Sequence, residues 1–396
     1  MLNNSHILVR LSIRAWALLV WIVLSVCAVA CDSEEEIPQP EQPDGSMTVS
    51  ISIKTNGSTG TRAVDVYDMI GTMEENTINV VDGDYRILLF DKDGWMVGRF
   101  DDIQPVTGEE QNVNQYVVTA SLDKTLLDFT VVVLANWEQN GWHYPLVAES
   151  ITTIDGLMAD MDCQFDVKEG WRPFHEDGAV RTGGMPMFGM HSFSVSQEEA
   201  KNATREAPVN LSESEQDVIW MVRSMAKIEV VDAMDKINDD DYPRLESVTF
   251  APYMNAGKLI PDAFSNGNGE RWNNGSQVSR VSLPAGKTPV TGELALFSIA
   301  DADTKREKYV AYVAEQSLNQ QKAYLYITVR NRPDGTTGDG LVTVTYELDV
   351  NQETGMQILR NHLYRFNIKS VSSQLINVEY VVCPWSGYKV DIPVFD

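Results

Sequence analysis

Residues 341–350 read LVTVTYELDV, with Val342, Val344, Tyr346, Leu348 and Val350 alternating against Thr343, Thr345, Glu347 and Asp349. Successive side chains of an extended chain point to opposite faces, so this period of two predicts a strand with Val342 to Val350 inward and argues against an amphipathic helix. The same texture recurs along the chain. MTVSISI (47–53) puts Met47, Val49, Ile51 and Ile53 on one face, and YRILLFD (85–91), WMVGRF (95–100), NQYVVTASL (114–122) and FTVVVLAN (129–136) follow. Farther on, VIWMVRSMAKIEVVDAM reads as a central strand with a bend. RLESVTFAPY, ELALFSIA, KYVAYVAEQ, KAYLYITVR, HLYRFNIKSV, NVEYVVCPW and YKVDIPVF continue the series. Asp93-Gly94 predicts a tight hairpin turn with positive φ at both residues. One helical spacing interrupts the strands, at Ile151, Ile154, Leu157, Met158 and Met161, and predicts a short helix packed on a sheet or its edge. Many short strands and few helices make an all-β chain whose halves are β-sandwiches.

The N-terminal region has a different grammar. Arg10 and Arg14 precede an apolar run, Ala15 to Ala30, which carries no charge and ends in small residues. It is shorter than the roughly 20 residues a membrane-spanning helix needs, and it has the outline of a secretory signal. The stretch Ala28-Val29-Ala30-Cys31 resembles the lipobox of bacterial lipoproteins, in which the cysteine after the cut is acylated; Ala28 departs from the leucine usual there. That resemblance makes Cys31 the lipid attachment residue and removes Cys27 with the signal. Ordinary cleavage with Cys31 as a free thiol is the alternative. The following DSEEEIPQPEQPDGS has acids and prolines and no material for a core, so it reads as a solvated tether. Its acids also resemble the export signal of surface lipoproteins of the Bacteroidia.

The 396 residues carry 57 Asp+Glu against 31 Lys+Arg, a formal charge of −26, and such a chain repels nucleic acid. Hydrophobic residues make up 43%, enough for real cores despite that charge. The length exceeds what one core normally serves, and residues 197–216 contain almost no bulky apolar side chains. The expected division is therefore a signal at 1–30, a tether at 31–46, an N-terminal sandwich at 47–205 and a C-terminal sandwich at 206–396. Cys163 and Cys383 then fall in different domains. A disulfide needs Cα atoms within about 7 Å, so they read as two buried thiols.

Chemistry is sparse. His143, His175, His191 and His362 lack the spacing of a zinc helix, and no nucleophile elbow, phosphate loop or dinucleotide fingerprint occurs. Asp91-Lys92-Asp93-Gly94 lacks the third acid and closing glutamate of a calcium loop, and Asp239-Asp240-Asp241 reads as a solvated loop. No cofactor or metal is expected, and no catalytic constellation can be named. Trp137 and Trp142, in LANWEQNGWHY, are close enough to form a sugar-binding platform, although burial is the commoner fate of tryptophan.

The succession of segments carries more than any one of them. A lipobox, an acidic tether, Thr61-Arg62-Ala63, then YRILLFDKDG, FTVVVLANW, MPMFGMHSF, VRSMAKIEVV, YVAEQ, ILRNHLYRFNI and VEYVVCPW resemble the fimbrillin superfamily of type V pili over roughly residues 47–396. The resemblance implies two tandem transthyretin-like, Greek-key β-sandwiches with few short helices. It implies a lipid-anchored surface subunit of the outer membrane and fimbrium that binds other fimbrial subunits by β-strand addition and supports adhesion to a host or bacterial surface ligand. In shaft and tip subunits of that family an arginine-specific protease removes the first strand, and Arg62 matches the processing position by its place after MTVSISI. Arg62 equally reads as an ordinary loop arginine. An anchor or accessory subunit keeps Cys31, whereas a processed shaft or tip subunit loses it. YKVDIPVF is either a donated strand or the last strand of the second sandwich. A surface glycan-binding lipoprotein is the rival from another class, with Trp137 and Trp142 as its contacts.

Overall fold

The structure, a computed structural model, describes residues 45–55, 75, 77–80, 84–100, 103–105, 115–136, 153–159, 164–167, 184–214, 217–235, 242–262, 281–300, 307–319, 321–332, 340–353, 357–372 and 374–384. The first strands are β1 (Ser46–Thr55), β2 (Tyr85–Asp91), β3 (Met96–Phe100), β4 (Ile103–Pro105), β5 (Gln115–Asp123), β6 (Asp128–Ala135), β7 (Gln164–Asp166), β8 (Met187–Ser194), β9 (Val209–Asn210) and β10 (Ile219–Arg223). They continue with β11 (Ala226–Asp232), β12 (Arg244–Ala251), β13 (Ala256–Lys258), β14 (Leu294–Ala295), β15 (Phe297–Ala300), β16 (Glu307–Val313) and β17 (Gln316–Ser317). The last are β18 (Tyr324–Asn331), β19 (Val342–Asp349), β20 (Gln357–Ile358), β21 (His362–Val371) and β22 (Ile376–Pro384). The helical segments are short: α1 (Ile154–Ala159), α2 (Gln197–Asn202) and α3 (Val350–Glu353). The protein is all-β, and none of the described helices is long and apolar enough to cross a membrane.

The N-terminal sheet runs β3-β2-β6-β8-β10-β1-β5-β4, with β9 also paired to β1. Its inward side chains form one core, in which Met47, Val49, Ile51 and Ile53 of β1 meet Tyr116, Val118 and Leu122 of β5 and Phe129, Val131 and Val133 of β6. FTVVVLA in β6 is a continuous apolar run because both of its faces are covered. Val132 and Leu134 point the other way, into a smaller cluster with Leu88, Phe90, Leu259, Ile260 and Ile154 and Leu157 of α1. The expected helix is thus present, and its buried residues cap the outer face of this sheet.

The hairpin between β2 and β3 turns as expected at residues 91–95, but only Gly94 has positive φ, at 83°. Gly94 N donates to Asp91 O at 3.0 Å, and Asp91 Oδ1 accepts from Asp93 N and Trp95 N at 3.0 and 2.9 Å. A bulge between Leu89 and Phe90 absorbs the extra residue, so Asp93 needs no left-handed backbone. Placing a Cβ on a left-handed residue costs roughly 1–2 kcal/mol, and Gly94→Ala is expected to lower stability by about that amount in a denaturant melt.

VIWMVRSMAKIEVVDAM departs from expectation: it is not one bent strand. Its first part, β10, pairs with β8 and β1, and its second, β11, pairs with β16 and β21 of another sheet. The break falls at Ser224, whose N–H donates to Pro186 O and whose hydroxyl donates to Leu259 O, both at 2.8 Å. Those two bonds replace the ladder bonds a continuous strand would make. Strands β9 and β10, beyond residue 206, therefore belong to the N-terminal sheet.

The C-terminal region pairs a five-stranded sheet, β15-β16-β11-β21-β22, with a four-stranded one, β14-β12-β18-β19. Ile228, Val230, Phe366 and Ile368 of the first meet Val248, Phe250, Ile327 and Val329 of the second in a common core. The opposite face of the five-stranded sheet is not left to solvent. Val310 and Tyr312 of β16 join the N-terminal core, so this sheet contributes to both cores. LVTVTYELDV alternates as expected but is less buried than its pattern implies. In β19 only Tyr346 is buried and Val342 is 43% exposed, because among the described strands β19 pairs with β18 alone and stands at the sheet edge.

Candidate functional site

The arrangement with chemical consequence is the seat of the first strand. β1 lies inside its sheet, not at an edge. On one side it pairs antiparallel with β5 from Ser46↔Asp123 to Lys54↔Gln115, and on the other parallel with β9 at Val49↔Val209 and with β10 at Ile53↔Ile219. Ser52 N donates to the Ser212 hydroxyl at 2.9 Å, and Leu211 N donates to Ser50 O at 2.9 Å. Met47, Val49, Ile51 and Ile53 are each at most 1% exposed. A single ten-residue segment thus supplies one full column of the N-terminal core. Burying such side chains is worth roughly 1.5–3 kcal/mol each, an upper bound because unfolded chains are partly compact.

Chain farther along is fastened to the core by polar side chains. The Glu75 carboxylate is fully buried; Lys227 Nζ lies 2.8 Å from its Oε1, and the Tyr312 hydroxyl donates to the same oxygen. Arg223 Nε donates to Glu75 O at 3.1 Å, and its Nη1 to Asn361 Oδ1 at 2.9 Å. Ile78 N donates to the Tyr116 hydroxyl at 2.8 Å. The Asn136 side chain accepts from Asn79 N and donates to Thr77 O, both at 2.8 Å, and also donates to Met185 O at 2.9 Å. Burial pushes the Tyr116 phenol up to about 12, against the lowering effect of the Ile78 N–H.

Lys227 also lies 2.9 Å from Glu229 Oε1, and Glu229 Oε2 takes Arg365 Nη2 at 2.7 Å and Nε at 2.7 Å. These groups are neighbours because Glu229 of β11 pairs with Arg365 of β21 while Lys227 pairs with Tyr312 of β16. Burial alone would raise the Glu229 pKa, but Lys227, Arg365 and Lys308 outweigh it and bring it to about 2. Burial opposes the charge on Lys227, and Glu75 and Glu229 more than compensate, so its pKa is raised. The cluster is a positioning device rather than a reactive one, since each carboxylate is neutralised by a cation in hydrogen-bond contact.

Cys31, Arg62, Trp137 and Trp142 lie outside the described residues, as do Cys163, His143, His175, Asp239 to Asp241 and YKVDIPVF. Cys383 stands in β22 opposite Leu363. His191 packs its ring edge-on to Phe193 at 4.6 Å. His362 Nδ1 is 2.8 Å from Arg360 O, and burial lowers its pKa. Asp91 spends its side chain on the turn. Among the described residues no group of three or more histidines, cysteines and acids is placed to hold a metal ion. Sequence reasoning missed Glu75, Lys227, Glu229 and Arg365. A signal existed in AKIEVV, where Lys227 and Glu229 occupy one face of an otherwise apolar strand.

No protein-family model and no curated protein sequence matches the chain. Solved structures do. The tip fimbrial protein Mfa3 from Porphyromonas gingivalis, with a C-terminal truncation, superposes with a TM-score of 0.52 at 15% identity, covering 86% of this chain and 100% of that one. A fimbrial assembly protein from Parabacteroides distasonis gives 0.44 at 15% identity, over 85% of this chain and 96% of that one. The chain therefore has a fold similar to that of the Mfa3 structure over 86% of its length.

Proposed function

We propose that the chain is a cell-surface fimbrial subunit of anchor or accessory type that joins its neighbours by β-strand addition and supports adhesion. The observation that carries this reading is β1: one strand, seated between β5 and the β9–β10 side, fills a column of the core through four apolar side chains and a ladder of main-chain bonds. Such a seat has the two elements that strand recognition uses, main-chain hydrogen bonds for affinity and alternating pockets for specificity. Cys31 holds the subunit at the outer membrane by its lipid, and the acidic residues 31–46 span the gap to the folded region, whose N-terminal sheet runs on past residue 206 to take in β9 and β10. Arg62 follows β1 and is the point at which a protease would free it. The fold likeness to a fimbrial tip protein agrees with this role.

The N-terminus of the protein isolated from producing cells tests the subunit type. An acylated Cys31 at the first position is the expected result, read by mass spectrometry of the N-terminal peptide. A first residue of Ala63 would overturn the anchor assignment in favour of a processed, polymerising subunit.

A further inference from the structure

We propose that Glu75 and residues 77–80 form a clasp that keeps the body of the protein folded after the chain is severed between β1 and residue 75, so that β1 can leave alone. For its purpose the inference rests on strand addition in a cut chain, in which Cys31 leaves with β1 and the anchor assignment gives way to a processed subunit; its grounds are separate. The clasp binds at three points. Glu75 is held by Lys227 of β11 and Tyr312 of β16, and its carbonyl by Arg223. Ile78, itself 2% exposed, is tied through its N–H to Tyr116. Thr77 and Asn79 are gripped by the two ends of the Asn136 amide, and Asp84 N donates to Asn79 O at 3.1 Å while its carbonyl accepts from Asn136 N at 2.8 Å.

What matters is where these partners stand. Lys227, Tyr312 and Asn136 belong to, or directly follow, β11, β16 and β6, none of which pairs with β1. Asn136 adopts φ of 63°, a conformation asparagine tolerates better than most residues, and its side chain packs where a Cβ on Gly184 would collide at 2.5 Å. The amide is therefore boxed in by its surroundings independently of β1. Tyr116 and Arg223 are the exceptions: Tyr116 is opposite Ile53, and Arg223 ends β10, whose Ile219 to Met221 pair with Ile53 to Thr55, so both feel the departure of β1. Because most clasp bonds are buried and anchored outside the β1 ladder, opening the slot and releasing the clasp are separate local events.

The test uses the full chain with residues 56–61 replaced by the recognition sequence of a site-specific protease. It is cut in solution and followed by hydrogen–deuterium exchange, with a labelled peptide of sequence 46–55 added in excess. The expected result is that the labelled peptide displaces the β1 fragment while Ile78 and Asn79 keep their amide protection within about tenfold of the uncut chain. Loss of that protection in step with the β1–β5 ladder would overturn the clasp, even if the peptide exchanges. Failure of the peptide to exchange, with β1 retained in the cut chain, sinks strand addition at this seat and with it the proposal that β1 can leave alone. Glu75→Gln, which preserves shape, is expected to expose residues 77–79 by more than about tenfold in the cut chain relative to the cut parent. Equal protection in the two would remove Glu75 from the clasp, and the comparison of cut and uncut parent stands whether or not the variant folds.

Discussion

Glu229→Ala is expected to lower stability by about 3–5 kcal/mol, the usual cost of breaking a buried charge pair from one side. The size follows from what is left behind: Lys227 and Arg365, both largely buried, lose a carboxylate at 2.9 and 2.7 Å. Lys227 keeps Glu75, whereas Arg365 loses both of its contacts to the Glu229 carboxylate. The effect carries a pH signature. Glu229 is held at about 2 in the fold, below its ordinary value of 4.5. A depressed carboxylate contributes stability that is complete above its unfolded pKa and is lost as the pH falls through the folded one. The parent chain should thus lose stability steadily between about pH 5 and pH 2, and Glu229→Ala should flatten that slope. Urea melts at pH 7, 4 and 3 measure both quantities. A variant with the parent's melting curve at pH 7 would show that the cluster is not buried as described.

Removing β1 outright should have a still larger consequence. A chain beginning at residue 56 loses four fully buried side chains and leaves β5 and β10 with unpaired main-chain groups along one slot. At roughly 1.5–3 kcal/mol per side chain, the loss approaches the whole stability of a typical domain. The truncated chain is expected to self-associate through the open slot and to return to a monomer when a peptide of sequence 46–55 is supplied. The same peptide carrying Val49→Asp and Ile51→Asp should fail, because each carboxylate would enter an apolar pocket without a partner. Sedimentation velocity with and without peptide reads the outcome. A truncated chain that stays monomeric and ignores the peptide would sink the assignment of this slot as a strand-exchange site.

Local periodicity made most strands legible. MTVSISI, YRILLFD and FTVVVLAN became β1, β2 and β6 because burial on one face or two leaves a direct imprint on polarity. Turn chemistry was partly legible: Gly94 was placed correctly, whereas its neighbour's backbone depended on a bulge that polarity does not encode. Helix α2 was missed, yet its start was written in Ser196 and Glu199. Ser196 Oγ accepts from Glu199 N at 3.2 Å, and Glu199 Oε2 accepts from Ser196 N at 2.8 Å, a reciprocal cap in a segment poor in apolar residues.

The candidate site divides along the same line. That β1 would be buried on one face could be read from Met47, Val49, Ile51 and Ile53 alone, since alternation is a property of the segment itself. That it sits inside the sheet, with β5 on one side and β9 and β10 on the other, could not, because pairing joins residues up to 166 positions apart, as at Ile53↔Ile219. The break at Ser224, the sharing of the five-stranded sheet between two cores and the gathering of Glu75, Lys227, Glu229 and Arg365 are likewise tertiary. The sequence by itself determined which segments extend and which face of each seeks burial, because both depend on neighbours along the chain. Which strands meet, and so which charges neutralise one another, was decided only when distant segments came together, because those energies exist only between them.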